Sequence, residues 1–403
     1  MARILSFVTV SDHAGTWTGA SVCFAQVEVR ETTMKLGMFM MPVNDHRRDT
    51  HTVLKEDVEV AVHCDKLGFD EFWIGEHYTT LSEPVSCPFM FLANLIARTE
   101  KVKLCTGVVN LPQRHPAQVA AHAAMLDHLS DGRLVMGVSP GGLVSDFEMF
   151  GVTDLQVRRE MAGECIDIVL KLWSTSPPYH ISGKYWNIRL DEHFYPDLGV
   201  GELVKPYQQP HPPLVASAMS PNSGSVHTAA IKGWGVISAN FVPSATIKTH
   251  WDGFTAACNE VGRIPEPADW RVARTIFVAE DDAEAKAYAR DPEGPFAHYF
   301  GYLVELIRRA EFHAIMKATP EMADEAVTAE YACENFIIAG SPESVFEQIL
   351  SLREEIGPFG TILMTAADLQ GEEHKANLMR SMELMAGEVL PRLRAQLSRE
   401  AIA

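Results

Sequence analysis

Glu76 and His77 stand side by side at the end of the apolar run FWIGEHYTT, residues 72–80. An imidazole titrates near neutral pH, so His77 is the first candidate for moving a proton. A histidine at a strand end also serves as a purely structural hydrogen-bonder, and the sequence alone leaves both roles open. Neighbours on an extended chain point to opposite faces. Glu76 therefore suits a structural bond to a loop or an arginine better than a role in orienting His77.

Other candidates follow short apolar runs in the same way. Asn110 ends KVKLCTGVVN. Ser139 is the second residue of VSPGGLVSDF, whose glycines Gly141 and Gly142 allow a backbone to approach a ligand closely. Met219, Ser220 and Asn222 lie in ASAMSPNSGSVHTAA, a loop with good helix-capping residues. Free amides at a helix start suit phosphate, although plain capping explains the same composition. Histidines are scattered, with no H-x-x-x-H or H-E-x-x-H helix, so no metal site is expected. Neither a G-x-S-x-G elbow nor a P-loop is present. These ends are rich in Met, Phe, Trp and Asn, which suits a flat aromatic cofactor and an apolar substrate.

What would hold such residues together is a parallel barrel. From Met34, strand-like runs at 35–41, 69–75, 101–110 and 133–139 alternate with helical stretches at 54–68, 87–99 and 115–132. The spacing is about 30 residues, the length of a βαβ unit. In the first helix Leu54, Val58, Ala61, Val62 and Cys64 share one side at helical spacing. Later strands are expected at 213–220, 235–241, 273–279 and 361–366. The runs are continuously apolar, as parallel strands buried on both faces must be. The expected architecture is an α/β fold, a TIM (β/α)8 barrel with insertions at 174–212 and at about 288–335, the second a plausible lid. A doubly wound sheet competes, but the first turn reads MPVNDHRRD and lacks G-x-G-x-x-G. Residues 1–33 are read as an N-terminal extension and a candidate for disorder, and 34–395 as a single domain.

Fifty-three acidic residues against 34 basic ones give a formal charge of −19. That surface disfavours nucleic acid and anionic membranes as partners. No apolar run reaches the roughly 18 residues of a membrane span. The N-terminus lacks the apolar core of a signal peptide, and seven scattered cysteines form no C-x-x-C pair. The expectation is a cytoplasmic protein without disulfides.

From Lys35 to about Leu393 the chain resembles the bacterial luciferase-like flavin-dependent monooxygenases. The stretches that carry the resemblance are KLGMFMMP, LGFDEFWIGEHY, KVKLCTGVVNLPQRHPAQVAAHAAMLDHLSDGRLVMGVSPGG, PHPPLVASAMSPNSGSVHTAA and GSPESV…FGTILM. PYQQPHPPLVASAMSP, ISANFVP and VLPRL are similar to the limonene monooxygenase-like branch. The resemblance implies a luciferase-like barrel that uses reduced FMN and O2 as cosubstrate. It implies a flavin hydroperoxide and a separate flavin reductase supplying the reduced FMN. One oxygen atom would enter a small apolar organic substrate, terpene- or ketone-like, and the protein would be a homodimer. Epoxidation, hydroxylation and Baeyer–Villiger insertion all fit.

His77 matches the first histidine of the family's Glu-His-His stretch, with Tyr78 departing from it. The resemblance puts the flavin ring over Asn110 and Ser139, and its phosphate near Met219, Ser220 and Asn222. Luciferases carry a phosphate-contacting arginine in HPVR; here the stretch is HPAQ, and Gln118 supplies no charge. Arg114 and Arg133 are the candidate substitutes, Arg133 from the start of its strand. The departure leaves open a deazaflavin-dependent hydride transfer on the same fold. A non-catalytic flavin-binding subunit is a further alternative.

Overall fold

The computed structural model describes residues 33–402. The extension expected at 1–33 lies, but for its last residue, outside the described residues. In chain order the strands are β1 (Lys35–Met40), β2 (Glu71–Ile74), β3 (Lys103–Asn110), β4 (Leu134–Ser139), β5 (Tyr179–Ser182) and β6 (Asn187–Leu190). They continue with β7 (Leu214–Ala218), β8 (Gly235–Ser238), β9 (Trp270–Val278), β10 (Ile337–Gly340) and β11 (Thr361–Thr365). Eight of them run parallel in the order β1-β2-β3-β4-β7-β8-β9-β11, and β11 pairs back onto β1 to close the barrel. The expected TIM barrel is present, and each strand expected from the sequence lies in it.

Strand alternation divides the side chains between two layers. Trp73, Cys105, Val135, Val215, Ile237, Ala273 and Leu363, with Phe39 against them, fill the barrel's interior, one residue from each barrel strand. Their neighbours Phe72, Ile74, Leu104, Leu134, Met136, Leu214 and Val236 face outward into the helical layer. Glu71 sits in the interior near the N-terminal ends, bonded by Arg271 Nε at 2.8 Å and Nη2 at 2.7 Å and by Trp73 Nε1 at 2.9 Å. This pair explains why β9 begins at Trp270, earlier than the apolar run at 273–279 suggests. Arg271 is a buried charge with its partner on another strand, so it breaks the apolar pattern without breaking the strand.

The first helix, Thr50–Leu67, is capped by the Asp49 carboxylate on the Thr52 amide and stopped by Gly68 at φ 78°. Its buried stripe is Val53, Asp57, Val60, Ala61 and Cys64. The face expected from Leu54, Val58 and Val62 is only partly buried, and an aspartate takes a core position. The insertion at 174–212 carries the β5–β6 hairpin. The one at 288–335 contains the helices Pro295–Arg309 and Ala329–Phe336 and leads into β10. That short strand was not anticipated; it pairs with Thr275–Val278, beyond the closed part of the barrel. The excursion packs a second apolar cluster, with Phe277, Phe296, Phe300, Ile307, Met316 and Phe336 among its members. All six described cysteines are free. No helix among the described residues is long and apolar enough to cross a membrane.

Candidate functional site

β2 delivers Glu76 and His77 to the C-terminal rim, and the two side chains diverge as extended neighbours should. Glu76 is fully buried. It accepts from the Asn110 amide at 2.9 Å, from Tyr78 Oη at 3.0 Å and from Arg114 Nε at 2.9 Å. Asn110 Nδ2 returns a bond to the Glu76 carbonyl at 3.1 Å. The carboxylate therefore locks the ends of β2 and β3 together, the structural role expected of it. Arg114, a candidate for the missing phosphate charge, is committed to this pair and lies over the Tyr78 and Phe89 rings. Arg133 is held elsewhere, by Thr99 Oγ1 at 2.9 Å and the Ser130 carbonyl at 3.2 Å before β4 begins.

His77 is pinned through its backbone amide to the Val85 carbonyl at 3.0 Å, and its side chain is 14% exposed. Nδ1 lies 3.4 Å from Asp146 Oδ2, and Nε2 lies 3.4 Å from Glu83 Oε2. Burial alone would lower the imidazole's pKa, but the facing carboxylates of Glu83 and Asp146 outweigh it, and the net shift is upward. Burial pushes Glu83 up against the pull of His77. Asp146 feels the same burial, yet hydrogen bonds from His77, Thr79 and the Tyr78 amide carry it below the usual carboxylate range. It accepts from the Tyr78 amide at 3.1 Å and from Thr79 Oγ1 at 2.5 Å, so it fixes the whole loop after β2.

Asp146 belongs to the short helix Val144–Met149 that follows the two glycines after β4. Asn110 and Ser139 are register partners at the ends of β3 and β4. Ser139 Oγ accepts from the Gly141 amide at 2.9 Å. Gly141 has φ +91°, and a Cβ there would meet Phe147 at 2.7 Å and Asn110 at 3.4 Å, so only glycine fits between them. On Phe147 lies the Arg158 guanidinium, 3.4 Å from the ring centroid. Arg158 is buried, gives Nη1 to the Thr153 carbonyl at 2.7 Å, and leaves Nε with no partner. Burial lowers its pKa.

β7 lies beside β4 and ends at Ala218, with Met219 and Ser220 directly after it. The loop is held from below: Trp270 Nε1 donates to Ser238 Oγ at 3.0 Å, and Ser238 Oγ meets His250 Nδ1 at 2.8 Å. His250 Nε2 reaches the Ser220 carbonyl at 3.0 Å. Burial pushes His250 down to about 4, so it is neutral, with Nε2–H as donor. Asn222 has a left-handed backbone and gives its amide to Thr249 Oγ1 at 2.9 Å. The rim thus carries His77, Asn110, Ser139, Met219 and Ser220 on adjoining strand ends. Gln118 stands apart, exposed in the first turn of the helix Pro116–Leu129.

The excursion closes over this rim. Tyr299 and Tyr302 project from the helix Pro295–Arg309; Tyr299 Oη accepts from Asn240 Nδ2 at 3.1 Å, and Thr365 and Thr275 complete a buried network. Tyr302 Oη lies 3.0 Å from Thr80 Oγ1, joining the excursion to the loop that carries His77. Asp146, Glu83, Arg158 and Tyr299 were not singled out from the sequence. Of these, Asp146 lay in a stretch read for its glycines and Tyr299 in the excursion read as a lid. No cluster of metal-binding side chains occurs among the described residues.

Residues 34–358 match the family model described as luciferase-like monooxygenase. Limonene 1,2-monooxygenase of Rhodococcus erythropolis is 30% identical over 362 residues, which span 90% of this chain and 87% of that protein. 4-Hydroxyprotoasukamycin monooxygenase of Streptomyces nodosus subsp. asukaensis is 29% identical over 372 residues, 90% of this chain and 93% of that one. Among solved structures, the oxygenating constituent of 3,6-diketocamphane monooxygenase from Pseudomonas putida superposes with a TM-score of 0.80. That protein, a type II Baeyer–Villiger monooxygenase in complex with FMN, is 26% identical, with 89% of this chain and 98% of the other covered.

Proposed function

The chain belongs to the luciferase-like monooxygenase family, in the branch of limonene 1,2-monooxygenase, and on that premise we propose that its rim binds reduced FMN and oxygenates a small apolar organic molecule. It is a flavin-dependent monooxygenase. A terpene- or ketone-like substrate is favoured by the named relatives and by the aromatic walls of the rim. A separate reductase would supply the reduced flavin, as the word constituent implies for the Pseudomonas protein. The working unit is proposed as a single barrel over 34–395 that pairs as a homodimer.

The observation that carries this reading is His77, held between Asp146 and Glu83 at a rim whose adjoining strand ends carry Asn110, Ser139, Met219 and Ser220. Arg158, a buried cation behind Phe147, adds a positive charge to a site whose Gln118 supplies none. We assign Met219, Ser220 and Asn222 to the phosphate end, Asn110 and Ser139 to the ring, and Gln118 to an outlying neutral contact. When bound, reduced FMN supplies the two electrons that divide O2 between product and water. The protein's own part is threefold. His77 holds a proton at the rim. Asp146 fixes the orientation of its ring. The Tyr299 and Tyr302 helix keeps bulk water away from the reacting atoms.

The test is mass spectrometry after turnover with chemically reduced FMN and isotopically labelled dioxygen over a panel of cyclic terpenes and ketones. One labelled oxygen per product molecule is expected. Products without label, or turnover with a reduced deazaflavin under anaerobic conditions, would replace oxygenation by hydride transfer.

A further inference from the structure

We propose that Asp57 and Glu83 form a proton relay that connects His77 to solvent along the Arg48 edge of the first helix. The proposal rests on the reading of His77 as the proton-handling residue. A narrow cavity behind the rim is lined by Met40, Met41, Asp57, His77, Glu83 and Val85 among others, with room for about one water molecule. Glu83 reaches Nε2 of His77 from one wall at 3.4 Å. Asp57 faces the same cavity from the helix Thr50–Leu67, at 2% exposure. It has no hydrogen bond or ion pair among the described residues. A carboxylate in that position is expensive, while an apolar residue or an asparagine would fill the space at lower cost. An aspartate is explained if it holds an exchangeable proton.

The surroundings agree with that role. Burial is the largest influence on Asp57 and pushes it up to about 8, with Glu56 and Asp368 raising it and Arg48 lowering it. Glu83 faces His77 and Asp146, with Tyr299 and Tyr302 of the covering helix close by. His77 also feels Glu76. On the far side of Asp57, Arg48 bonds Glu56 Oε2 at 2.6 Å and pairs with Asp368, and this cluster borders an open groove lined by Asp45, Arg47, Arg48 and Gln370. Protonated Asp57 gives its proton through the cavity water to the Glu83 carboxylate. Glu83 passes it to Nε2 of His77, and Asp57 is reloaded from solvent along the Arg48 edge. Only O–H and N–H bonds break and form; no electrons move.

Two measurements on the flavin-free protein test the relay's members: Asp57 must carry a proton and Glu83 must face His77. The infrared spectrum at neutral pH should show a buried carboxylic-acid carbonyl band that Asp57→Asn abolishes. In histidine-labelled NMR titrations, Glu83→Gln should lower the pKa of His77. In turnover, Asp57→Asn should cut coupled product formation by about tenfold or more with KM unchanged and a larger solvent deuterium isotope effect. Asp57→Ala should regain part of that loss with added formate. A band that persists in Asp57→Asn, or turnover and isotope effect equal to wild type, overturns the relay. The infrared and NMR results can overturn the relay even if no oxygenated product is found, because they need neither flavin nor substrate, so its failure and that of the oxygenase reading are distinguishable.

Discussion

The imidazole of His77 is held between two carboxylates, Asp146 on Nδ1 at 3.4 Å and Glu83 on Nε2 at 3.4 Å. The partners come from different elements, one from the helix after β4 and one from the loop after β2. A ring held at both nitrogens keeps its orientation and favours its charged form, which a histidine merely packed at the rim would not do.

Asp146→Asn should lower the pKa of His77, because it removes a charge that favours the imidazolium. The sign follows from linkage. The raised folded-state pKa gives stability that is complete below the ordinary histidine range and is lost as pH rises through the folded value. In the variant that contribution is smaller, and its loss is complete at lower pH. Histidine NMR titration and coupled turnover, reduced by about ten- to a hundredfold, check both parts.

His77→Ala should keep its fold and its FMN affinity, and release most of its reducing equivalents as hydrogen peroxide. The ratio of peroxide to product measures this. Unaltered coupling would remove His77 from the chemistry.

Arg158→Met should weaken FMN binding by about tenfold, through loss of a positive charge near an anionic ligand. Riboflavin, which lacks the phosphate, should bind the variant and the wild type alike. Flavin fluorescence titrations compare the two ligands. Equal losses for both would mean that the arginine acts through Phe147 packing.

Tyr302→Phe removes the bond to Thr80 and loosens the contact between the covering helix and the His77 loop. The expected result is a few-fold higher peroxide leak with little change in thermal stability. An oxygen electrode with and without catalase gives the leak.

Arg271→Met leaves Glu71 as an uncompensated buried charge and should cost about 3–5 kcal/mol of stability. Glu71 now sits below the usual glutamate range despite its burial, because Arg271 faces it. Its contribution is present above the unfolded-state value and is lost as pH falls through the folded one. The variant should therefore differ least from wild type in acid, where Glu71 is protonated. Thermal melts across pH test this.

The barrel was legible because its strands are apolar on both faces, a pattern that survives in a single sequence. It failed where a charge entered the pattern. Arg271 hid the start of β9, and Asp57 lay outside the set of apolar residues Leu54, Val58, Ala61, Val62 and Cys64. The short β10 had no pattern long enough to show. At the site, His77 was visible because it ends a strand, and the structural bond of Glu76 to an arginine followed from alternation. Glu83 and Asp146 become neighbours of His77 only through the closure of two loops, and nothing in their local sequence announces it. Arg158 sits in LQVRREM, where helical periodicity gives two adjacent arginines and no reason to bury the first.

The covering excursion has a hydrophobic interior of its own, built on Phe277, Phe300 and Phe336 and tied to the barrel through the β9–β10 ladder and the tyrosine contacts. Such an arrangement divides labour within one polypeptide. Sequence drift in the annex can reshape the entrance and admit new molecules, while the acid–base apparatus beneath it stays intact. Diversification of substrate range along this lineage is expected to be written in 288–335 first.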